Sequence, residues 1–229
     1  SHASAAAVVY KRQGGGGNVV VTADADSDND GALLMADGAI INAGSGTATL
    51  KADEDVTVGQ VTTTNATATA VTITSTSGGV VDGGDTGGDT GGEDVIAAAG
   101  RLVVDAVTGV GSAGQIETAV GSLDIDNTTS GNIDIFEMYA VSVFRIFNTV
   151  ANDTTKTTGT IQLIAGDTIT VDAAAGGGTG ISAIDGDVVV DANGAASDLL
   201  VNQTIDTTLL GDITLTADND VTIAAAGDI

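Results

Sequence analysis

One short phrase, repeated along the chain, constrains this sequence more than any other feature. It consists of glycine, a polar residue and then alternating apolar and polar residues, and its clearest copy is GDITLTAD at 211–218. Other copies begin at Gly17, Gly46, Gly100, Gly121, Gly159 and Gly186, with a copy that lacks the glycine at Thr69. The steps between the eight copies average near 28 residues and range from 21 to 38. Repetition at this period is typical of solenoids and related repeat architectures.

The alternation within the phrase predicts a β-strand with one buried face, because successive side chains of a strand point to opposite sides. Aligning the copies places the inward residues in three columns. The first column is Val19, Ala48, Val71, Leu102, Leu123, Ile161, Val188 and Ile213. The second is Val21, Leu50, Ile73, Val104, Ile125, Leu163, Val190 and Leu215. The third is Ala23, Ala52, Ser75, Ala106, Asn127, Ala165, Ala192 and Ala217.

A second alternating segment follows the first at a fixed distance. It begins eight residues after the first inward residue, at Val56, Ile169 and Val221. This distance is too short for a helical crossover, which needs about a dozen residues or more, but it fits a strand, a corner and a strand. We therefore predict an all-β chain that forms a parallel β-solenoid of about eight irregular coils, one per copy. An antiparallel β-sandwich stays open as the alternative, since it also has short alternating strands.

Composition and charge exclude several classes of protein. The chain has 229 residues, of which 31 are acidic and 6 basic, and its formal net charge is −25. A nucleic-acid partner is not expected, because binding phosphates requires a basic face. Disulfides and thiolate metal sites are excluded because there is no cysteine. No apolar run approaches the roughly 18–20 residues of a membrane-spanning helix, so no membrane span is expected.

Three longer segments resemble the degenerate repeats of filamentous-haemagglutinin-like bacterial surface proteins. They are TADADSDNDGALLMADGAIINAGSGTATLKADEDVTVG at 22–59, TSTSGGVVDGGDTGG at 74–88 and GDITLTADNDVTIAAAGDI at 211–229. The likeness covers most of residues 17–229, and only the bulky segment 135–147 departs from it. The resemblance implies a right-handed parallel β-helix that is exported to the cell surface and has an adhesive or scaffolding role.

The repeats, the missing cysteines and the resemblance together predict a non-catalytic, extracellular adhesin or a scaffold or stalk segment of a bacterial surface protein. The expected partners are a host surface, a matrix component or a neighbouring subunit. One alternative is a filament subunit that stacks end to end, because unpaired terminal strands are templates for further strands. Another is a polysaccharide-active β-helix enzyme. Such an enzyme needs paired carboxylates and usually aromatic platforms, which are scarce outside 136–147.

The two ends of the chain differ from the repeats between them. Residues 1–16 lack the alternation and end in a glycine run, so we expect an atypical, flexible segment there. Residues 17–229 are expected to form a single solenoid domain. The last three residues, from Gly227, match the opening of another copy, and we therefore expect the chain to be a piece of a longer array.

The corner after the first copy is a candidate calcium site. Four carboxylates occur there within seven residues, namely Asp24, Asp26, Asp28 and Asp30. The last three of them, together with Gly31 and Asp37, match the spacing of ligands and glycine in the helix-loop-helix calcium loop. A solvated acidic turn is the simpler alternative. The loop at 82–94, DGGDTGGDTGGED, is a second and weaker candidate, for which a surface loop is the simpler interpretation.

Large side chains are concentrated in one segment. They are Phe136, Met138, Tyr139, Phe144 and Phe147. These side chains either fill a wider coil from the inside or form a contact patch, because exposed apolar clusters tend to mark interaction surfaces. Arg145 lies among them, and we expect it to pair with Glu137.

Overall fold

The computed structural model describes residues 11–12, 16–25, 30–84, 92–150, 158–172 and 180–229. Over these residues the chain is all-β, without a helix, and it forms a parallel β-solenoid of about seven turns. Every strand pairing in this part of the chain is parallel. The solenoid prediction is confirmed, and the antiparallel sandwich is wrong.

The first three coils are built from short strands separated by corners. They are β1 (Lys11–Arg12), β2 (Val19–Thr22), β3 (Leu33–Leu34), β4 (Ile40–Asn42), β5 (Ala48–Ala52), β6 (Val56–Val58), β7 (Gln60–Thr62), β8 (Val71–Ser75) and β9 (Val80–Asp82). Three longer strands, two of them with twelve residues, form the middle coils together with one strand of five residues. They are β10 (Val95–Ala106), β11 (Ile116–Asn127), β12 (Ile133–Glu137) and β13 (Val141–Asn148).

Short strands return in the last coils. They are β14 (Ile161–Ala165), β15 (Ile169–Val171), β16 (Gly180–Ala183), β17 (Val188–Ala192), β18 (Leu199–Val201), β19 (Ile205–Thr207), β20 (Ile213–Ala217) and β21 (Val221–Ile223). One face of the rod stacks eight strands, β2, β5, β8, β10, β11, β13, β16 and β19. The seven steps between them account for the difference from the predicted eight coils. At about 4.8 Å per step the stack is roughly 35 Å long.

A continuous apolar core runs along the inside of this stack. In the first five strands the first predicted column is in register, since Val19, Ala48, Val71, Leu102 and Leu123 are successive partners. All five side chains are buried. Small and β-branched side chains suffice because each residue packs on its equivalents in the neighbouring coils. Each fully buried Val, Leu or Ile stabilises the fold by about 1.5–3 kcal/mol.

The predicted columns do not continue unbroken to the end of the chain. Leu123 pairs with Val143, whereas Ile161 pairs with Ile133. Ile133 in turn continues the line of Val110 and Val80, on another face of the rod. The three copies that begin at 159, 186 and 211 therefore lie on a different face from the five earlier copies. The physical reason is the 38-residue step from 121 to 159, which contains both β12 and β13 and carries the chain past one full turn.

Two asparagines of the interior close the corner that follows the first face. Asn127 Nδ2 donates to Asn148 Oδ1 (3.1 Å), and Gly109 N donates to Asn127 Oδ1 (2.9 Å). Asn148 Nδ2 donates to the carbonyl oxygen of Thr160 (3.1 Å). Both side chains are buried, and they provide partners for backbone groups that the strand ladders leave unpaired at the corner.

Candidate functional site

The predicted calcium corner lies between β2 and β3, and the structure describes part of it. Asp26 and Asp28 lie outside the described residues. Asp24 has a φ of 57° and packs against Gly31, where an added Cβ would lie 2.8 Å from the Asp24 nitrogen, so the two ends of the loop meet. Asp30 is exposed, and Asp37 lies on an exposed turn beyond β3. Calcium binding at this corner stays a prediction.

The described residues do contain one compact group of three carboxylates, at the ends of the acidic glycine loop. Asp82 ends β9, Asp94 precedes β10, and Glu117 lies in β11 on the next coil. One carboxylate oxygen from each of the three lies within 4.8 Å of the other two. Asp94 and Glu117 are adjacent because Val95 and Thr118, one residue further along each strand, are ladder partners. The acidic loop is evident in the sequence, but its proximity to Glu117 is not, since variable coil lengths hide which residues stack.

Within this group, burial favours the protonated form of Asp94. Asp94 is 2% exposed and Glu117 is 9% exposed. The pKa of Asp94 is raised to about 9, mainly by burial and also by the neighbouring charges of Asp82 and Glu117, although a hydrogen bond from Glu117 N (3.1 Å) opposes the rise. The two carboxyl groups also hydrogen-bond to each other. Carboxylate oxygens are suitable ligands for a divalent cation, and a proton held by Asp94 would also reduce the repulsion between these carboxyl groups.

Glu137, the last residue of β12, is a further carboxyl group in the interior of the same coils. It is 0% exposed and accepts hydrogen bonds from Thr118 Oγ1 (2.7 Å), Val120 N (3.0 Å) and Tyr139 N (3.1 Å). Burial is the largest influence and raises its pKa to about 7, against the lowering effect of these three donors. The predicted pair of Arg145 and Glu137 is therefore wrong, because Glu137 faces inward and takes backbone and hydroxyl partners.

Arg145 lies on the outer face of the rod among acidic and aromatic side chains. Its guanidinium contacts Asp124 (2.8 Å) and Asp126 (3.1 Å). A register shift between β11 and β13 leaves Phe144 without a ladder partner, so Phe144 and Arg145 both lie on the outer side. Arg101 reaches across from β10 and stacks on the Phe144 ring, 3.9 Å from its centroid. Arg145 lies 5.6 Å from the centroid of Phe147.

The structure divides the predicted aromatic patch into separate groups. Phe144 and Phe147 lie on the outer face of β13. Phe136 is opposite Glu117 and Ile164 on another face of the rod. Met138 and Tyr139 occupy the corner between β12 and β13, where Tyr139 is 60% exposed. None of the five side chains is buried, so they do not fill a wider coil from the inside, and their role as a contact patch stays a prediction.

Comparisons with known proteins identify no relative of this chain. No protein-family model matches the chain, and no curated protein or solved structure is detectably similar to it. Membership of the filamentous-haemagglutinin-like family therefore stays a prediction that rests on the repeat pattern. The parallel β-solenoid itself follows from the strand pairings. Among the described residues, no helix has the length and apolar character needed to cross a membrane.

Proposed function

We propose that this chain is a non-catalytic rod segment of an extracellular bacterial surface protein, serving as an adhesin or as a scaffold or stalk. The observation that carries the proposal is the continuous parallel stacking from β2 to β19 around one apolar core. Such a solenoid holds its shape through contacts between neighbouring coils and exposes long lateral faces to partners. A rod of this kind can display a binding surface at a distance from its anchor.

The charge of the chain supports a solvated, extended role. With a formal net charge of −25, copies of the rod repel one another, which favours solubility over lateral association. The outward positions of the phrase are mostly threonine, aspartate and other polar residues, as in β5, β17 and β20. These residues suit a surface that is exposed to water along its whole length.

The burial of the carboxyl groups favours a non-catalytic role. A glycoside hydrolase places two carboxylates on either side of an accessible bond. Asp94 and Glu117 form a neighbouring pair within the described coils, and both are buried and hydrogen-bonded to each other. Their burial supports a role other than contact with a polysaccharide.

The outer face of β11 and β13 is the surface that we assign to partner contact. Arg101 and Arg145 are fixed there by Asp124, and each stacks on a phenylalanine. Ordered arginine and aromatic side chains are enriched at protein interfaces. A host-surface component, a matrix component or a neighbouring subunit is the expected partner.

Electron microscopy and surface proteolysis test the proposal together. Purified chain should give separate short rods, and protease treatment of intact cells that carry the parent protein should release peptides from this segment. Long uniform fibres would instead favour an end-to-end filament. Turnover of a polysaccharide that disappears when one acidic pair is replaced would overturn the non-catalytic assignment.

A further inference from the structure

Glu137 occupies a position that small or apolar residues fill in the neighbouring coils. The ladder partners along this inward column are Val95, Thr118, Glu137, Ala165, Ala192 and Ala217. A buried carboxyl group in such a column costs free energy unless its hydrogen bonds are satisfied. The hydrogen bonds of Glu137 therefore decide whether the carboxyl group is tolerated in this column.

The hydrogen-bond partners of Glu137 suit the ionised group. Thr118 Oγ1 donates to Oε2 (2.7 Å), Val120 N donates mainly to Oε2 (3.0 Å), and Tyr139 N donates to Oε1 (3.1 Å). An ionised carboxylate is an acceptor only, and these three donors serve both of its oxygens. Two of the donors are backbone groups at the bends of the chain that follow Thr118 and Glu137.

The same atoms also satisfy the protonated group. A proton on Oε2 can be donated to Thr118 Oγ1, because a hydroxyl group both donates and accepts. Thr118 then turns its own hydrogen to the carbonyl oxygen of Phe136, which lies 3.3 Å from Oγ1. Oε1 continues to accept from Tyr139 N, and Val120 N is also within reach of it (3.3 Å). Reorienting one hydroxyl group thus accommodates the proton without moving the backbone.

We propose that Glu137, Thr118 and the Phe136 carbonyl form a proton-operated switch that joins the coils of β11 and β12. In the protonated state the carboxyl group carries no charge into the core, and the two coils are held more tightly. In the ionised state the same contacts persist, but the buried charge weakens the junction. The switch lies in the middle of the rod, where the repeat changes face.

The charged neighbour of Glu137 favours the protonated state. Glu93, which precedes β10, adds a negative charge that raises its pKa, and burial raises it more. β10 and β11 bring the acidic Asp94 and Glu117 to the same coils, the corner brings the neutral Tyr139, and β14 (IQLIA) brings no charged residue. Among the described residues, Arg101 and Arg145 lie on the outer face, where both contact Asp124.

The sign of the effect on stability follows from linkage. The pKa of Glu137 is about 7 in the folded chain, against an ordinary glutamate value of 4.5 that applies to the unfolded chain. The stability from the bound proton is therefore fully present below about pH 4.5 and is lost as the pH rises through about 7. The stability of the junction therefore changes most steeply with pH between about 4.5 and 7, and the change levels off above the folded pKa.

Glu137→Gln is the matched test, because its amide copies the protonated carboxyl group. The amide oxygen accepts from the backbone donors, and the amide nitrogen donates to Thr118 Oγ1. The unfolding equilibrium constants of both chains are measured by denaturant unfolding at pH 5 and at pH 8.5. The ratio of the wild-type constant to that of the variant should increase between the two pH values. We expect the unfolding equilibrium constant of the wild-type chain to rise by about 100-fold relative to that of the variant.

Groups other than Glu137 titrate in both chains. Their contribution therefore drops out when the free energies of unfolding of wild type and Glu137→Gln are subtracted. As controls, Asp167→Asn, at an exposed position, should leave the pH dependence unchanged, whereas Glu93→Gln should move its midpoint to lower pH. A constant difference between wild type and Glu137→Gln across this pH range would overturn the proposal.

A second measurement does not depend on the folding of the variant. Carboxyl-carbon NMR of the folded wild-type chain should show a glutamate resonance that titrates near pH 7. Backbone correlations should assign that resonance to residue 137. Titration of the Glu137 resonance near pH 4.5, the ordinary value for a glutamate side chain, would also overturn the proposal.

Discussion

At the scale of single residues, the alternation of the phrase decides which side chains tolerate change. Leu163 is buried in β14, and its neighbour Ile164 lies on the outer side of the same strand. The two residues have similar size and the same strand context, so they separate the effect of position from the effect of composition. They form a matched pair for testing the inward columns.

We predict that Leu163→Asp destabilises the fold by several kcal/mol, because it places an unpaired carboxylate in the apolar core. Ile164→Asp should cost about 1 kcal/mol or less, because its side chain can reach water. Urea denaturation at pH 7 measures both values. Equal effects of the two substitutions would contradict the assignment of the inward column.

The interior asparagines give a second prediction at this scale. Asn148→Ala removes the donor to the Thr160 carbonyl and the acceptor for Asn127, so it should cost about 2–4 kcal/mol. Asn193→Ala, at an exposed position, serves as the control and should change stability by less than about 0.5 kcal/mol. Thermal melts of both variants check the difference. A midpoint for Asn148→Ala that matches wild type would show that the corner does not depend on this side chain.

At the scale of strands and corners, the sequence predicts local structure better than it predicts which face a strand occupies. The period-two pattern identifies β5, β14, β17 and β20, and their pairings lie in the predicted register. The change of face after β11 could not be predicted, because a 38-residue step does not reveal how many corners it contains. The number of residues in a step can be counted in the sequence. The face on which the next strand lies depends on how many corners those residues form.

The candidate sites illustrate the same physical limit. The acidic loop can be recognised from its aspartates and glycines. The third carboxyl group of the cluster, that of Glu117, lies 23 residues after Asp94 and on the next coil. Glu137 was visible only as an expected partner of Arg145. Its inward position follows the alternation of β12, in which Ile133, Ile135 and Glu137 share the buried face, but a carboxyl group at an inward position runs against the expectation that charged residues point outward. Sequence patterns predict faces of strands, whereas contacts between coils depend on the stacking.

The corner between β2 and β3 gives a prediction for one element. If it binds calcium, with an affinity of roughly 10⁻⁴–10⁻³ M, millimolar calcium should raise the melting temperature, because the ion binds only the folded state. The comparison is a thermal melt with calcium against chelator at constant ionic strength. The double variant Asp26→Ala/Asp28→Ala should lose the shift. An unchanged midpoint in the wild-type chain would leave the corner as a solvated acidic turn.

At the scale of the whole molecule, the buried carboxyl groups and the negative net charge both lower the stability of the fold as the pH rises. Burial raises the pKa of four carboxyl groups, those of Asp94, Asp126, Asp134 and Glu137. Their folded-state values lie above those of the unfolded chain, so the folded chain holds protons that the unfolded chain has released. The formal net charge of −25 adds self-repulsion, which increases as the remaining acids ionise.

We therefore predict that the rod is most stable in mild acid and loses stability as the pH rises. The stability from these groups is present below the unfolded values near 4, and it is lost through about 7 for Glu137 and about 9 for Asp94. Melting temperatures at constant ionic strength should fall steadily from pH 5.5 to pH 9.5. Added salt should reduce the contribution of surface repulsion but not that of the buried groups. A flat or rising profile would contradict this reasoning.

The change of face in the middle of the rod has a consequence for multivalent recognition. The outward residues of five copies form one stripe, and those of the last three copies form another stripe at a different azimuth. A partner that binds the outward residues of one copy finds equivalent sites on the neighbouring copies of the same stripe. On the first stripe, the last of these sites is on β11. To engage both stripes at once, a two-headed partner must wrap around the rod, since within the described coils the first stripe offers five positions in line and the second three.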